Sequence, residues 1–108
     1  MKIKIDDPIM NFDGSIIEIP DKDKTVFTFR KVIENVLNSQ VESAPLTSEK
    51  KLYAFQIGIK LFGKRLPEYE LTVDQVQFIK ERIGLFYGPV IYGRFLELIG
   101  DETVSVTR

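Results

Sequence analysis

The stretch LTVDQVQFIKERIG, at residues 71–84, carries the clearest helix start in the chain. Thr72 is the predicted N-cap, and Gln75 stands three residues later, which is the spacing of a capping box. Leu71 and Val76 have the spacing of a hydrophobic staple around the same cap. Apolar residues then recur at helical spacing until the glycine that closes the stretch, where we expect the helix to end. The stretch predicts the third of four helices.

Three further stretches have the same helical spacing of apolar residues. We expect the other helices at about residues 29–38, 48–62 and 89–99. Pro89 suits the first position of the last helix, because the missing N–H has no partner within a helix there. In the second helix, the stripe expected to face the core is Leu52, Phe55, Ile59 and Phe62, widened by Tyr53, Ile57 and Leu61. So broad an apolar face predicts a central helix that touches several neighbours. The core predicted for the chain as a whole is Val32, Val36, Phe55, Ile59, Val76, Ile79, Phe95 and Leu98.

The first twenty residues have the pattern of β-structure instead. Residues 2–5 alternate polar and apolar, which is the period of a half-buried strand. Asp13-Gly14 is a strong turn signal, and a β-branched run follows it at residues 16–19. We expect a short N-terminal β-hairpin packed on the helices, because a lone hairpin is marginal in water. The tail at 103–107 alternates again and either frays or adds a third strand.

Length and composition indicate one α+β domain over residues 1–108. Its expected parts are a β-rich segment at 1–27, a helical segment at 28–100 and a tail at 101–108. No stretch has the pattern of a signal peptide or the length of a membrane span. We therefore expect a cytoplasmic protein with no membrane partner.

The chain contains no histidine and no cysteine. This excludes, within one chain, a Ser–His or Cys–His nucleophile, a disulfide and the usual zinc and iron–sulfur ligand sets. We expect no metal, no cofactor and no enzymatic activity, so that the chain acts by binding. The remaining catalytic alternative is an enzyme that uses carboxylates, lysine or tyrosine alone, and the acidic candidates are Asp6, Asp7, Glu68 and Glu70.

The expected binding surface lies where the third helix meets the fourth. Its residues are Phe86, Tyr87, Tyr92 and Arg94. Aromatic residues and arginine are enriched at the centres of protein interfaces, and a short connector between glycines cannot bury every bulky side chain. Two such surfaces would also pair a homodimer around a two-fold axis. The alternative is that these side chains complete the core.

Nucleic-acid binding is the alternative function. Residues 72–99 have about the lengths of a helix-turn-helix, but the fourth helix begins with apolar side chains, and Arg94 is the one residue there suited to a phosphate or base. The net charge of −1 argues against a nucleic-acid partner. A basic cluster, Lys60, Lys64 and Arg65, is explained by the helix dipole or by an anion site.

Four short pieces together resemble small, mostly uncharacterised bacteriophage-encoded proteins. They are Asn11-Phe12-Asp13-Gly14, Thr28-Phe29-Arg30-Lys31-Val32, Leu71-Thr72-Val73-Asp74-Gln75 with Ile79-Lys80, and Tyr87-Gly88-Pro89 with Gly93-Arg94-Phe95-Leu96. Such proteins pair a β-rich N-terminus bearing an Asp-Gly turn with three or four helices, and they carry no catalytic motif. The resemblance implies a bacterial cytoplasm and a host or viral protein as the partner. The expected role is that of an inhibitor, an adaptor or an assembly factor.

Overall fold

A computed structural model describes residues 2–17, 26–39 and 45–100 of the chain. Within these ranges, two short strands and four helices occur in the order β1, α1, α2, β2, α3, α4. Their bounds are Lys2–Ile3 for β1, Phe29–Asn38 for α1, Ser48–Phe62 for α2, Tyr69–Glu70 for β2, Val73–Phe86 for α3 and Pro89–Leu98 for α4. The predicted α+β class, with a small β part packed on helices, is confirmed. The expected third strand from the tail lies outside the described residues.

Helix α3 begins with the predicted capping box. The Thr72 hydroxyl accepts a hydrogen bond from the Gln75 backbone N–H at 3.1 Å, and the Gln75 side chain accepts one from the Thr72 N–H at 2.9 Å. The helix does not end at Gly84 as predicted but continues to Phe86. A Cβ at Gly84 would lie 3.3 Å from the Tyr92 ring, so glycine here leaves room for α4 beside α3.

The bounds predicted for the other helices agree with the structure. Helices α1 and α2 have the predicted ends, and α4 begins at Pro89 and ends one residue before Ile99. The amphipathic pattern of α1 is also confirmed, since its apolar stripe is buried. Helix α1 packs against both α2 and α3, and α3 packs against α4. Within the described part of the chain, no helix is both long enough and apolar enough to cross a membrane.

The turn predicted at Asp13-Gly14 is present. Gly14 has a φ of +86°, which favours glycine, and the Asp13 carboxylate accepts the Ser15 backbone N–H at 2.9 Å. Beyond the turn, the Ile17 N–H donates to the Ile9 carbonyl at 3.0 Å, which continues the antiparallel pairing.

The first strand has a different partner from the one expected. Strand β1 pairs antiparallel with β2, and Lys2 lies opposite Glu70. The hairpin around Asp13-Gly14 is formed by residues 9–17, where Met10 and Ile16 form an antiparallel bridge, and residues 2–3 pair elsewhere. Residues 6 and 7 form a bend, so the strand and the turn are separate pieces of chain. The apolar side chains of this segment are buried among the helices: Ile3, Ile5 and Ile9.

The core contains most of the predicted residues. Those that are buried as predicted are Val32, Val36, Val76, Ile79 and Phe95. Leu98 is half-buried and packs against this core. Phe55 and Ile59 were wrongly placed in the core, because their side chains are 64% and 58% exposed.

Helix α2 buries only one side of the broad apolar face expected for it. The residues that it buries are Ala54, Ile57 and Leu61. Apolar residues occur on both sides of this helix, so its sequence contains two stripes at helical spacing. Of the stripe that the sequence favoured, Leu52, Phe55 and Ile59 face outward, whereas Phe62 is half-buried and packs against the core.

Candidate protein-interaction surfaces

The four residues predicted to bind a partner do not all line one groove. Tyr87 and Tyr92 line a common groove of about 780 Å³ between α3 and α4. Phe86 and Arg94 do not line it. Leu85, which is half exposed, adds an apolar side chain to the same groove.

Arg94 holds the N-terminal turn. Its guanidinium donates to the carbonyl oxygen of Met10 at 3.0 Å, to that of Asn11 at 2.5 Å and to the Glu97 carboxylate at 2.9 Å. Helix α4 is thereby tied to the chain just before the Asp13-Gly14 turn. A guanidinium held by three acceptors offers few donors to a phosphate or a base edge, which weakens the case for a DNA contact here.

The aromatic side chains of this region are half-buried and pack against the core. The Tyr87 hydroxyl accepts a hydrogen bond from the Asn35 side chain at 2.9 Å, and its ring centroid lies 6.2 Å from that of Phe27. Phe86 lies beneath the buried Arg82, whose guanidinium carbon is 5.1 Å from the ring centroid. These contacts give the predicted binding residues structural roles.

A second surface lies on the outer face of α2. We call Leu52, Phe55 and Ile59 the α2 stripe. Their side chains are 58%, 64% and 58% exposed and recur at helical spacing, opposite the buried face of the same helix. Beside the stripe, a groove of about 400 Å³ runs between α2 and the end of α1. Phe55 and Ile59 form one wall of this groove, and its floor includes the buried Leu37.

The sequence contained a signal for this surface. The α2 segment has large apolar residues on two faces, yet a helix at the edge of a small domain usually buries one. Lysines at positions 50, 51 and 60 interrupt the apolar pattern and indicate that this helix is not buried all round. The sequence therefore indicates that one of the two apolar faces of α2 is exposed, but it does not indicate which one.

A charged cluster joins the N-terminus to the helices. The Arg30 guanidinium donates to both oxygens of Asp6, at 2.7 and 3.0 Å, and Arg65 donates to the same carboxylate at 3.1 Å. The hydrogen bonds from Arg30 hold the pKa of Asp6 below its ordinary value, and those from Arg65 add to the effect. Because both oxygens are engaged by guanidinium groups, this carboxylate is a poor proton acceptor.

Tyr69 completes this cluster from strand β2. Its buried hydroxyl accepts hydrogen bonds from Arg30 and from the Leu66 backbone N–H, both at 3.0 Å, and donates to the Lys64 carbonyl at 3.0 Å. Burial would raise the pKa of Tyr69, but the hydrogen bonds from Arg30 and Leu66 outweigh it, so the pKa is lowered. With all its hydrogen bonds made, the hydroxyl fixes the loop between α2 and β2.

The remaining acidic candidates are separate from this carboxylate. Glu68 lies 3.9 Å from the Lys2 ammonium, and Glu70 stands opposite Lys2 in the strand pair. Among residues 2–17, 26–39 and 45–100, no group of three or more acidic side chains is placed to hold a metal ion.

The basic cluster at the end of α2 is spread over several contacts. Arg65 reaches Asp6, and the Lys60 ammonium lies 3.4 Å from the Gln75 side chain. Lys64 is exposed. These three groups do not converge on one point, as an anion site would require.

No family model, no curated protein and no solved structure matches the chain.

Proposed function

We propose that this chain is a non-catalytic protein that acts by binding a protein partner through the α2 stripe. The observation that supports it is the alignment of three large apolar side chains, each more than half exposed, on one helix face. Covering the exposed part of each side chain with a partner contributes about 1 kcal/mol. Contiguous exposed apolar surface of this kind usually marks an interaction site.

Single exposed hydrophobic residues are normal on any protein and need no explanation. The α2 stripe differs in two respects. Its members are neighbours on one helix face, and the groove beside it is concave and mostly apolar, as a binding surface requires. The Tyr87–Tyr92 groove is the competing surface on the same molecule.

The sequence lacks histidine and cysteine, and the Asp6 carboxylate is held by two arginines, which favours binding over catalysis. The proposal keeps the cytoplasmic location and the host or viral partner expected from the sequence. The resemblance to bacteriophage proteins stays a prediction.

Affinity capture from cells that express the chain tests the proposal. The wild type is compared with a Phe55→Gln, Ile59→Gln variant and with a Leu85→Gln variant, which changes an exposed side chain of the groove between α3 and α4. We expect the α2 variant to fold and to lose a captured protein that the wild type retains. If the α2 variant keeps every captured protein while Leu85→Gln loses one, the binding surface is the groove between α3 and α4.

A further inference from the structure

The segment that contains the α2 stripe is opposite in net charge to the rest of the chain. Residues 48–65 contain five basic residues and one acidic residue, a net charge of +4, although Arg65 of this segment pairs with Asp6. The whole chain carries −1, so the other residues together carry −5. Lys51 lines the groove beside the stripe, and Lys60 is exposed on the other flank of the helix, where its ammonium lies 3.4 Å from the Gln75 side chain. In the described part of the chain, no carboxylate lies within ion-pair distance of either lysine, although the charge of Lys60 helps to lower the pKa of Glu70.

The backbone at the stripe restricts the kind of segment that can cover it. Residues 48–62 are helical throughout, so their N–H and C=O groups are bonded within the helix except in its first and last turns. The stripe therefore offers side chains and no strand edge for an added strand. A segment lying on it must satisfy its own backbone, which an α-helix does. From Leu52 to Phe62 the helix rises about 15 Å, which matches about three turns of a partner helix.

A second copy of the chain fits this surface poorly. In a symmetric pair with parallel α2 helices, Lys51 of one copy faces Lys51 of the other, and the same holds for Lys60. In an antiparallel pair centred on Phe55, Lys51 of one copy lies near Lys60 of the other. Either arrangement brings like charges together beside the contact. The three side chains also present on the order of 300 Å², well below the roughly 800 Å² per partner of a stable interface.

We propose that the α2 stripe binds an amphipathic helix whose apolar face is flanked by aspartate or glutamate. The inference rests on the proposed function and specifies its partner. The apolar face of the incoming helix covers Leu52, Phe55 and Ile59, and its carboxylates lie beside Lys51 and Lys60. Charge complementarity at the rim of a contact raises the association rate and selects among partners.

Two synthetic helical peptides test this inference against the full chain. They share one leucine-rich apolar face and differ only in the flanking residues, which are glutamate in one and lysine in the other. Binding is followed by fluorescence anisotropy of the labelled peptides. We expect the glutamate peptide to bind at least about tenfold more tightly than the lysine peptide, with the difference shrinking as salt is raised.

Variants assign the preference to the stripe. Phe55→Gln should abolish binding of the glutamate peptide, and the double variant Lys51→Glu, Lys60→Glu should reverse the preference. Lys4→Glu is a matched control, because it makes the same charge change at an exposed position in the N-terminal segment. Equal binding of the two peptides, binding of neither, or a dimer of the chain that Phe55→Gln dissociates in sedimentation velocity would overturn the inference.

The two proposals fail separately. If neither peptide binds but affinity capture still depends on Phe55 and Ile59, the stripe binds a partner of other chemistry, and the inference is wrong while the proposed function stands. If peptide binding and affinity capture are both independent of Phe55 and Ile59, the inference and the proposed function are both wrong.

Discussion

Alanine at Phe55 and alanine at Ile57 should have very different effects on stability, although the two residues are two positions apart on α2. Ile57 is fully buried, whereas about a third of Phe55 is. Truncating a buried isoleucine to alanine destabilises a domain by about 2–5 kcal/mol, because the methyl groups are lost and a cavity remains. For a domain of this size, we expect Ile57→Ala to lower Tm by about 10–20 °C.

Phe55→Ala should change stability by less than about 1 kcal/mol. The small buried part of the ring contributes a fraction of the roughly 3 kcal/mol of a fully buried phenylalanine. Alanine also has the higher helix propensity, which offsets part of that loss. Tm should therefore stay within about 5 °C of the wild type.

Thermal and urea unfolding, followed by circular dichroism at a helix band, measures both variants. Ile57→Val is a milder companion, expected to lose about 1 kcal/mol, in case Ile57→Ala does not fold. If Phe55→Ala loses as much stability as Ile57→Ala, the outward orientation of the α2 stripe is wrong, and with it the binding surface proposed on this helix.

Three further predictions concern other parts of the molecule. Thr72→Ala removes the N-cap of α3 and should lower the unfolding free energy by about 1 kcal/mol in urea titrations, whereas Thr72→Ser should retain most of it. Asp6 has a lowered pKa in the folded state, so its contribution to the unfolding free energy is present above the ordinary pKa of about 4 and is lost as pH falls through the lowered value. Asp6→Asn should therefore flatten that part of the stability–pH curve. An unchanged curve would show that the pairing with Arg30 contributes nothing to stability. Tyr87→Ala removes a half-buried ring and the hydrogen bond from Asn35, and it should lower the unfolding free energy by about 2–3 kcal/mol, whereas Tyr87→Phe should lower it by about 1 kcal/mol. A Tyr87→Ala variant with wild-type Tm would favour a role for this residue in binding.

The helix ends were predictable because their signals are local. Thr72 and Gln75 satisfy each other across three residues, and Pro89 suits a first helical position whatever its neighbours are. Gly84 shows the limit of such rules. The sequence around Gly84 predicts the end of a helix. In the structure Gly84 lies inside α3, and its lack of a side chain leaves room for the Tyr92 ring of α4.

The orientation of α2 and the partner of β1 depend on residues far away in the sequence. Whether Phe55 or Ile57 faces inward is decided by the shape of α1 and α3, which the periodicity of α2 does not contain. Strand β1 is short and pairs with Tyr69–Glu70. Because these two strands are far apart in the sequence, no turn signal links one strand to the other. The exposure of the α2 stripe could not be predicted for the same reason, since an exposed apolar stripe and a buried one have the same spacing.

The contacts of the N-terminal segment have a consequence for the order of folding. Pairing β1 with β2 closes a loop of about 70 residues, for which chain entropy alone costs about 4 kcal/mol. The hydrogen bond from Arg94 to Met10 spans 84 residues. Contacts of such long range become favourable only after nearer ones have drawn the chain together. We therefore expect the helices to assemble first and the N-terminal segment to pack against them late, when its isoleucines complete the core.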